Sequence, residues 1–138
     1  MTPPSPFKLK LKLQIMCGDE IAMGPGKADL LDAIARHCSI SGAGRALGMS
    51  YRRTWLLVDA MNRCWEAPLV ATTPGNQKAG AQLTPLGEEV LARYRQLQGD
   101  AERAALSGFA TIAEALLPAP LPPKRSEGRP QDAPNSAT

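Results

Sequence analysis

The sequence predicts an α+β fold that is mainly α-helical, with an N-terminal strand, a small β-hairpin and a long C-terminal helix. Two observations indicate this class. Near the N-terminus, apolar and polar side chains alternate with a period of two, which is typical of a half-buried strand. Further along, apolar residues recur at spacings of three and four, and glycine, proline or serine stands at the ends of those segments.

The chain of 138 residues is long enough for one domain with flexible ends. Six of its 13 prolines lie between Pro118 and Thr138, where Leu121 is the only large aliphatic residue. Such a segment buries too little apolar surface to offset its ordering entropy. The expected divisions are disordered ends at 1–6 and 118–138, a folded domain at 7–99 and a helical extension at 100–117.

No apolar run approaches the roughly 18 to 20 residues that span a bilayer, and the first residues lack the pattern of a secretory signal. The cysteines Cys17, Cys38 and Cys64 are odd in number and form no Cys-x-x-Cys pair. This favours buried free thiols in the cytoplasm, with a sensor thiol as the alternative. No cofactor is expected. His37 is interpreted as a capping or surface residue, because no second metal ligand lies at a suitable spacing.

The first strand is predicted over Phe7–Ile15, with Lys8, Lys10 and Lys12 on its solvent face. The same lysines discourage pairing of the strand with another chain. After the Gly-Pro-Gly break at 24–26, apolar residues at helical spacing predict a first helix.

This helix is expected from about Gly26 to His37, with Asp29 and Asp32 near its positive N-terminal end. A short second helix follows a serine cap at 39–41.

The second and third helices are joined by a tight turn. Gly48 suits the left-handed position that ends the second helix, and Ser50 can cap the third. The third helix is predicted from about Tyr51 to Trp65. Its buried stripe is expected to be Thr54, Val58, Met61 and Trp65.

A hairpin with strands at 69–73 and 81–83 comes next, and Thr84-Pro85 then opens a long helix whose apolar stripe passes a weak point at Gly108. This order of elements predicts a winged helix-turn-helix, in which the hairpin is the wing.

Charge is uneven although the net charge is only +3. Between Ala33 and Val58 there are four arginines and no acid, which indicates one positive face. A helix in the major groove reads bases with its N-terminal residues, and arginine can pair with guanine through two hydrogen bonds. The predicted DNA-binding residues are Ser41, Ser50, Tyr51, Arg52, Arg53 and Lys78.

Within this set, Arg52 and Arg53 are expected to reach bases or flanking phosphates, with a solvated surface charge as the alternative. Ser50 and Tyr51 are expected to anchor the DNA backbone, and the remaining two to contact phosphates. Trp55 is expected to pack half-buried rather than enter the groove.

Two runs carry a family resemblance. Ala46-Leu-Gly-Met-Ser-Tyr-Arg-Arg-Thr-Trp55, with Ser39-Ile-Ser41 and Met61-Asn62, resembles the N-terminal DNA-binding domain of ModE-type molybdate-responsive regulators. Ala81-Gln-Leu-Thr-Pro-Leu-Gly87 is similar to the wing-to-helix junction of LysR-type regulators. The resemblance covers residues 9–98 and implies a transcriptional regulator linked to molybdenum or oxyanion metabolism.

Two departures limit what the resemblance implies. The wing tip at 75–80 is less glycine-rich than in typical members. The family's oxyanion site lies in a separate C-terminal β domain, which this chain is too short to hold, so molybdate binding is not expected.

The expected function is therefore sequence-specific binding of double-stranded DNA by a homodimer on a pseudo-palindromic operator, with no membrane partner and no identified effector. The long helix has more apolar surface than a small domain covers, which favours pairing with its copy over folding back on its own domain. The alternative function is a protein-interaction module acting with a separate effector-binding regulator, mildly supported by the adjacent Leu56 and Leu57. No catalytic motif is present, so an enzyme is not expected.

Overall fold

The computed structural model describes residues 8–73 and 80–124. Its elements are β1 (Ile15–Cys17), β2 (Glu20–Met23), α1 (Pro25–His37), α2 (Ile40–Ala46), α3 (Tyr51–Cys64), β3 (Val70–Thr73), β4 (Gly80–Leu83) and α4 (Pro85–Ala113). The α+β class is confirmed. The predicted end at 1–6, the part of the predicted tail at 118–138 that follows residue 124, and Lys78 in the wing loop lie outside the described residues. Residues 118–124 are described and lie in no helix or strand.

The strand predicted over Phe7–Ile15 is wrong in its bounds. Residues 8–14 lie in no strand, and β1 instead pairs antiparallel with β2 through a turn in which Gly18 has φ of 61°. A strand needs a partner, and β2, the partner in the described residues, is only four residues long and ends before the break at Gly24. The three lysines do face solvent, as expected.

Helix α1 begins at Pro25, so Asp29 and Asp32 lie beyond its first turn. Their expected role at the helix start is therefore wrong. Arg95 of α4 donates to Asp29 Oδ1 at 2.9 Å and to Asp32 Oδ2 at 2.7 Å. The two carboxylates join α1 to α4, with the three side chains 36 to 58% exposed.

Both serine caps of the helix-turn-helix are present. The hydroxyl oxygen of Ser39 accepts from the backbone N–H of Gly42 at 2.8 Å, and that of Ser50 accepts from the N–H of Arg53 at 3.1 Å. Between them, Gly48 adopts a left-handed φ of 72° after the end of α2. These local bonds fix where α3 begins.

The core lies between α1, α2 and α3 and is closed by the wing and the start of α4. Thr54, Val58 and Met61 are buried as predicted, whereas Trp65 is only half-buried. Trp65 follows the last turn of α3, and its indole Nε1 donates to the carbonyl of Ala22 at 3.2 Å. The indole thereby ties the end of α3 to β2.

The wing is a two-stranded antiparallel sheet in which Val70 pairs with Leu83 and Thr73 with Gly80. The backbone N–H of Ala81 donates to the carbonyl of Cys38 at 3.0 Å. This bond fixes β4 against the connection between α1 and α2, and so places the wing beside the helix-turn-helix.

Helix α4 is capped by Thr84, whose hydroxyl accepts from the N–H of Gly87 at 2.9 Å, and it continues through Gly108. Its first half packs on the domain, where the hydroxyl of the buried Tyr94 donates to the carbonyl of Leu13 at 2.6 Å. Burial raises the pKa of Tyr94. Beyond Tyr94, α4 carries no buried residue in the described chain, and the helix ends at Ala113 rather than near residue 117.

The expectation of buried thiols is wrong for Cys17 and Cys38, which are exposed, while Cys64 is half-buried. Cys17 ends a strand at the hairpin turn, and Cys38 is the left-handed residue that closes α1. All three are free, as predicted. Desolvation raises the pKa of the Cys64 thiol, and a hydrogen bond with Cys17 adds to the rise.

Candidate nucleic-acid interface

The predicted DNA-contacting residues that the structure describes lie on α2 and on the first turn of α3, next to the wing. A cleft of about 330 Å³ opens between these three elements. It is rich in hydroxyl groups and is lined by Ser39, Ile40, Ser41, Tyr51, Trp55, Thr72, Thr73, Gly80 and Ala81. Hydroxyl groups are common donors to DNA phosphates.

Ser41 is half-buried at this cleft, with its hydroxyl oxygen 3.2 Å from that of Ser39. Ser50 is exposed, and its hydroxyl oxygen is already used as the acceptor that caps α3. The hydroxyl proton of Ser50 is still free to donate, since capping uses only the oxygen lone pairs. Ser41 therefore lines the cleft, whereas Ser50 stands at the start of α3 and fixes its first turn.

Tyr51 and Trp55 form an aromatic pair on α3. Their ring centroids are 6.1 Å apart with an interplanar angle of 71°, which is an edge-to-face arrangement. Tyr51 is 63% exposed and Trp55 is 37% exposed. The expectation that Trp55 packs half-buried is therefore wrong, since Trp55 is exposed and lines the cleft, where it meets the ring of Tyr51.

The two arginines of α3 are consecutive, so the helix sets their side chains about 100° apart. Arg52 lines a shallow depression on the outer face of the helix, together with Tyr51, Trp55, Leu56 and Asp59. Arg53 is exposed and is not among the residues that line this depression. Burial lowers the pKa of Lys27 in α1, the carboxylate of Glu20 opposes this change, and Arg53 adds a smaller lowering. Arg52 and Arg53 therefore face different sides of α3.

Sequence reasoning missed three polar residues near this surface. Lys27 lies half-buried at the start of α1, within electrostatic range of Glu20, Cys64 and, more weakly, Arg53. Thr72 and Thr73 end β3 and bring two hydroxyls to the cleft. The adjacent threonines at the end of a predicted wing strand were a usable signal, whereas only the packing of α1 on α3 reveals Lys27.

Metal binding finds no support in the described residues, where no three histidine, cysteine or acidic side chains come together. His37 is exposed in the last turn of α1. No helix within 8–73 or 80–124 is both long and apolar enough to cross a membrane.

No protein-family model matches the chain. Among curated proteins, the chain is 39% identical over 98 residues to the molybdenum-pterin-binding protein MopA of Rhodobacter capsulatus, covering 69% of this chain and 37% of MopA. It is 37% identical over 78 residues to the molybdenum transport protein ModE of Azotobacter vinelandii, covering 56% and 29%. It is 32% identical over 111 residues to the transcriptional regulator ModE of Yersinia pestis, covering 80% and 39%.

The chain therefore spans between about three and four tenths of the length of these curated relatives. The similarity relates it to ModE-type proteins over part of their length. This agrees with the resemblance carried by the helix-turn-helix residues.

Proposed function

We propose that this chain is a DNA-binding module of a ModE-like transcriptional regulator, which reads a pseudo-palindromic operator as a homodimer. One observation carries the proposal. At the exposed start of α3, Arg52 shares a depression with Tyr51 and Trp55, which also line the hydroxyl-rich cleft against the wing, and the exposed Arg53 follows it. A capped helix start with basic residues next to hydroxyl donors is suited to a base-reading helix flanked by phosphate contacts.

The two arginines are assigned different roles. Arg52 lies on the outer face of α3, so it is placed to pair with a base edge in the major groove. Arg53 follows Arg52 and is exposed about 100° further around the helix, so it is assigned to phosphates at the groove edge. Ser41, Tyr51 and the wing threonines are assigned to the opposite phosphate strand.

Dimerisation is assigned to α4. Its half beyond Tyr94 carries exposed apolar side chains that no described part of the chain covers, among them Leu97 and Ile112. Pairing of two such helices buries this surface and relates two copies of α3 by a two-fold axis. An operator with two inverted half-sites follows from that symmetry.

The names of the relatives support a link to molybdenum metabolism for the regulated genes. Those names give no support to the alternative function, in which the chain is a protein-interaction module. The chain itself is not assigned a molybdate site.

The experiment is selection of bound sequences from a random duplex library, followed by gel-shift titration of the selected duplex. Arg52→Ala is expected to relax base preference at one position in each half-site. Arg53→Ala is expected to weaken binding to all duplexes alike. It is also expected to reduce the slope of log affinity against log salt concentration by about one for each phosphate that Arg53 neutralises. The double variant is expected to lose most of its sequence preference.

The control removes the same formal charge from the far end of the molecule, as Arg103→Ala plus Lys124→Ala. Both residues are exposed and lie in or after the distal half of α4. Unchanged binding by the arginine double variant overturns the site assignment. If no duplex is enriched and a stable complex with another regulator is recovered, the interaction module replaces the DNA reader.

A further inference from the structure

We infer that Leu56 is a specificity-determining residue that contacts the C5-methyl group of a thymine in the major groove. The inference rests on the proposed function and adds to it an apolar reader beside Arg52. It also accounts for an exposed leucine on the face of α3 that the proposal turns toward DNA.

Leu56 is one of two adjacent leucines whose environments differ. It is 56% exposed, while Leu57 is half-buried and packs against the core. Leu56 lines the outer depression of α3 with Tyr51, Arg52 and Trp55. The leucine is therefore presented outward by the same helical face that presents Arg52.

The spacing along α3 fits successive base pairs. Arg52 and Leu56 are four residues apart, just over one helical turn and about 6 Å along the axis. Base pairs follow one another at about 3.4 Å. When α3 lies in the groove, Leu56 meets a base pair one or two steps from the pair that Arg52 reads.

Among the four bases, thymine alone presents a methyl group in the major groove, and apolar side chains recognise it there. The surroundings of Leu56 favour this occupant over a protein surface. The depression also holds the guanidinium of Arg52 and the carboxylate of Asp59, and charged residues are depleted in the cores of protein interfaces. Asp59 accepts from Arg63 at 2.9 Å, so its charge is partly balanced within α3.

The experiment uses the selected operator and replaces its thymines by deoxyuridine, one at a time. This change removes the methyl group and leaves the hydrogen-bonding edges intact. For one thymine in a half-site, one or two steps from the base read by Arg52, we expect about fourfold weaker binding by fluorescence anisotropy. In the Leu56→Ala variant the thymine and deoxyuridine operators are expected to bind equally.

Leu106→Ala is the matched control, since Leu106 is an equally exposed leucine on α4, and it should keep the deoxyuridine penalty. Both leucines are exposed, so both variants are expected to melt at the wild-type temperature. The inference is overturned if no deoxyuridine weakens binding, or if Leu56→Ala retains the penalty, and in both cases the DNA-binding proposal stands. Failure to select any duplex overturns the proposed function, and the inference falls with it.

Discussion

At the scale of single residues, Thr54 sets how closely α2 and α3 approach. Its side chain is fully buried, and its hydroxyl donates to the carbonyl of Ser50 at 2.7 Å. Gly44 of α2 lies directly against this hydroxyl, so that a Cβ at position 44 would overlap it. Because Thr54 is held by its hydrogen bond and by the core, it has no room to yield. The crossing of the helix-turn-helix therefore depends on a glycine at position 44.

Gly44→Ala is expected to destabilise the protein by about 1–3 kcal/mol, through overpacking against Thr54. Gly108→Ala is the matched control, because its Cβ meets nothing within 4 Å and it lies inside α4. The control is expected to stabilise the protein by up to about 1 kcal/mol through helix propensity. Urea denaturation measures both, and equal stability of the two variants would contradict the proposed packing.

At the scale of elements, Asn62 joins the end of α3 to the wing. Its Oδ1 accepts from the backbone N–H groups of Leu69 and Val70 at 2.9 and 3.1 Å. Its Nδ2 donates to the carbonyl of Val70 at 3.1 Å. One side chain thus satisfies three backbone groups where the chain turns from helix to strand, and it fixes the wing relative to α3.

Asn62→Ala is expected to destabilise the protein by about 1–3 kcal/mol, because buried backbone groups lose their partners. The amides of Leu69 and Val70 are expected to lose protection in hydrogen exchange. Gln82→Ala, at an exposed position of β4, is the control and is expected to leave protection unchanged. Wild-type protection of both amides in Asn62→Ala would show that the wing is held by other contacts.

The elements that the sequence predicts well are those fixed by short-range bonds. The caps at Ser39, Ser50 and Thr84 each act on an N–H three residues away, so the local pattern suffices. The contacts of Asp29 with Arg95 and of Tyr94 with Leu13 join residues 66 and 81 positions apart. The spacing of apolar residues along the chain does not indicate such long-range contacts. For this reason the predictions of the role of Asp29 and of the bounds of the first strand were wrong.

The same distinction applies to the candidate site. Residue types and spacing place Arg52 and Arg53 at the start of α3. The surface that each arginine side chain faces depends on how α3 is rotated against α1. That rotation is set by the burial of Thr54, Val58 and Met61. The sequence therefore predicts which residues form the surface, whereas the packing determines which surface each arginine serves.

At the scale of the whole molecule, α4 is the helix to which the proposed dimer is assigned. An α-helix advances 100° per residue, so the stripe that starts at Val90 and Tyr94 continues through Leu97 and Ile112. Leu106 is exposed to a similar extent as Leu97, 50% against 45%, but it lies well off this stripe. Substitutions of the two leucines can therefore test whether this stripe is the seam of the proposed dimer, because one leucine lies on the stripe and the other lies on ordinary exposed surface.

Leu97→Glu is expected to convert the proposed dimer to a monomer in analytical ultracentrifugation, because a charge in the seam has no partner and its burial is costly. Leu106→Glu introduces the same charge off the seam and is expected to remain dimeric. The monomeric variant should bind an operator with two half-sites no more tightly than one with a single half-site, since the second α3 is no longer held in register. A dimer that persists in Leu97→Glu would place the two-fold contact on another surface, and a wild-type monomer would remove the symmetric operator from the proposed function.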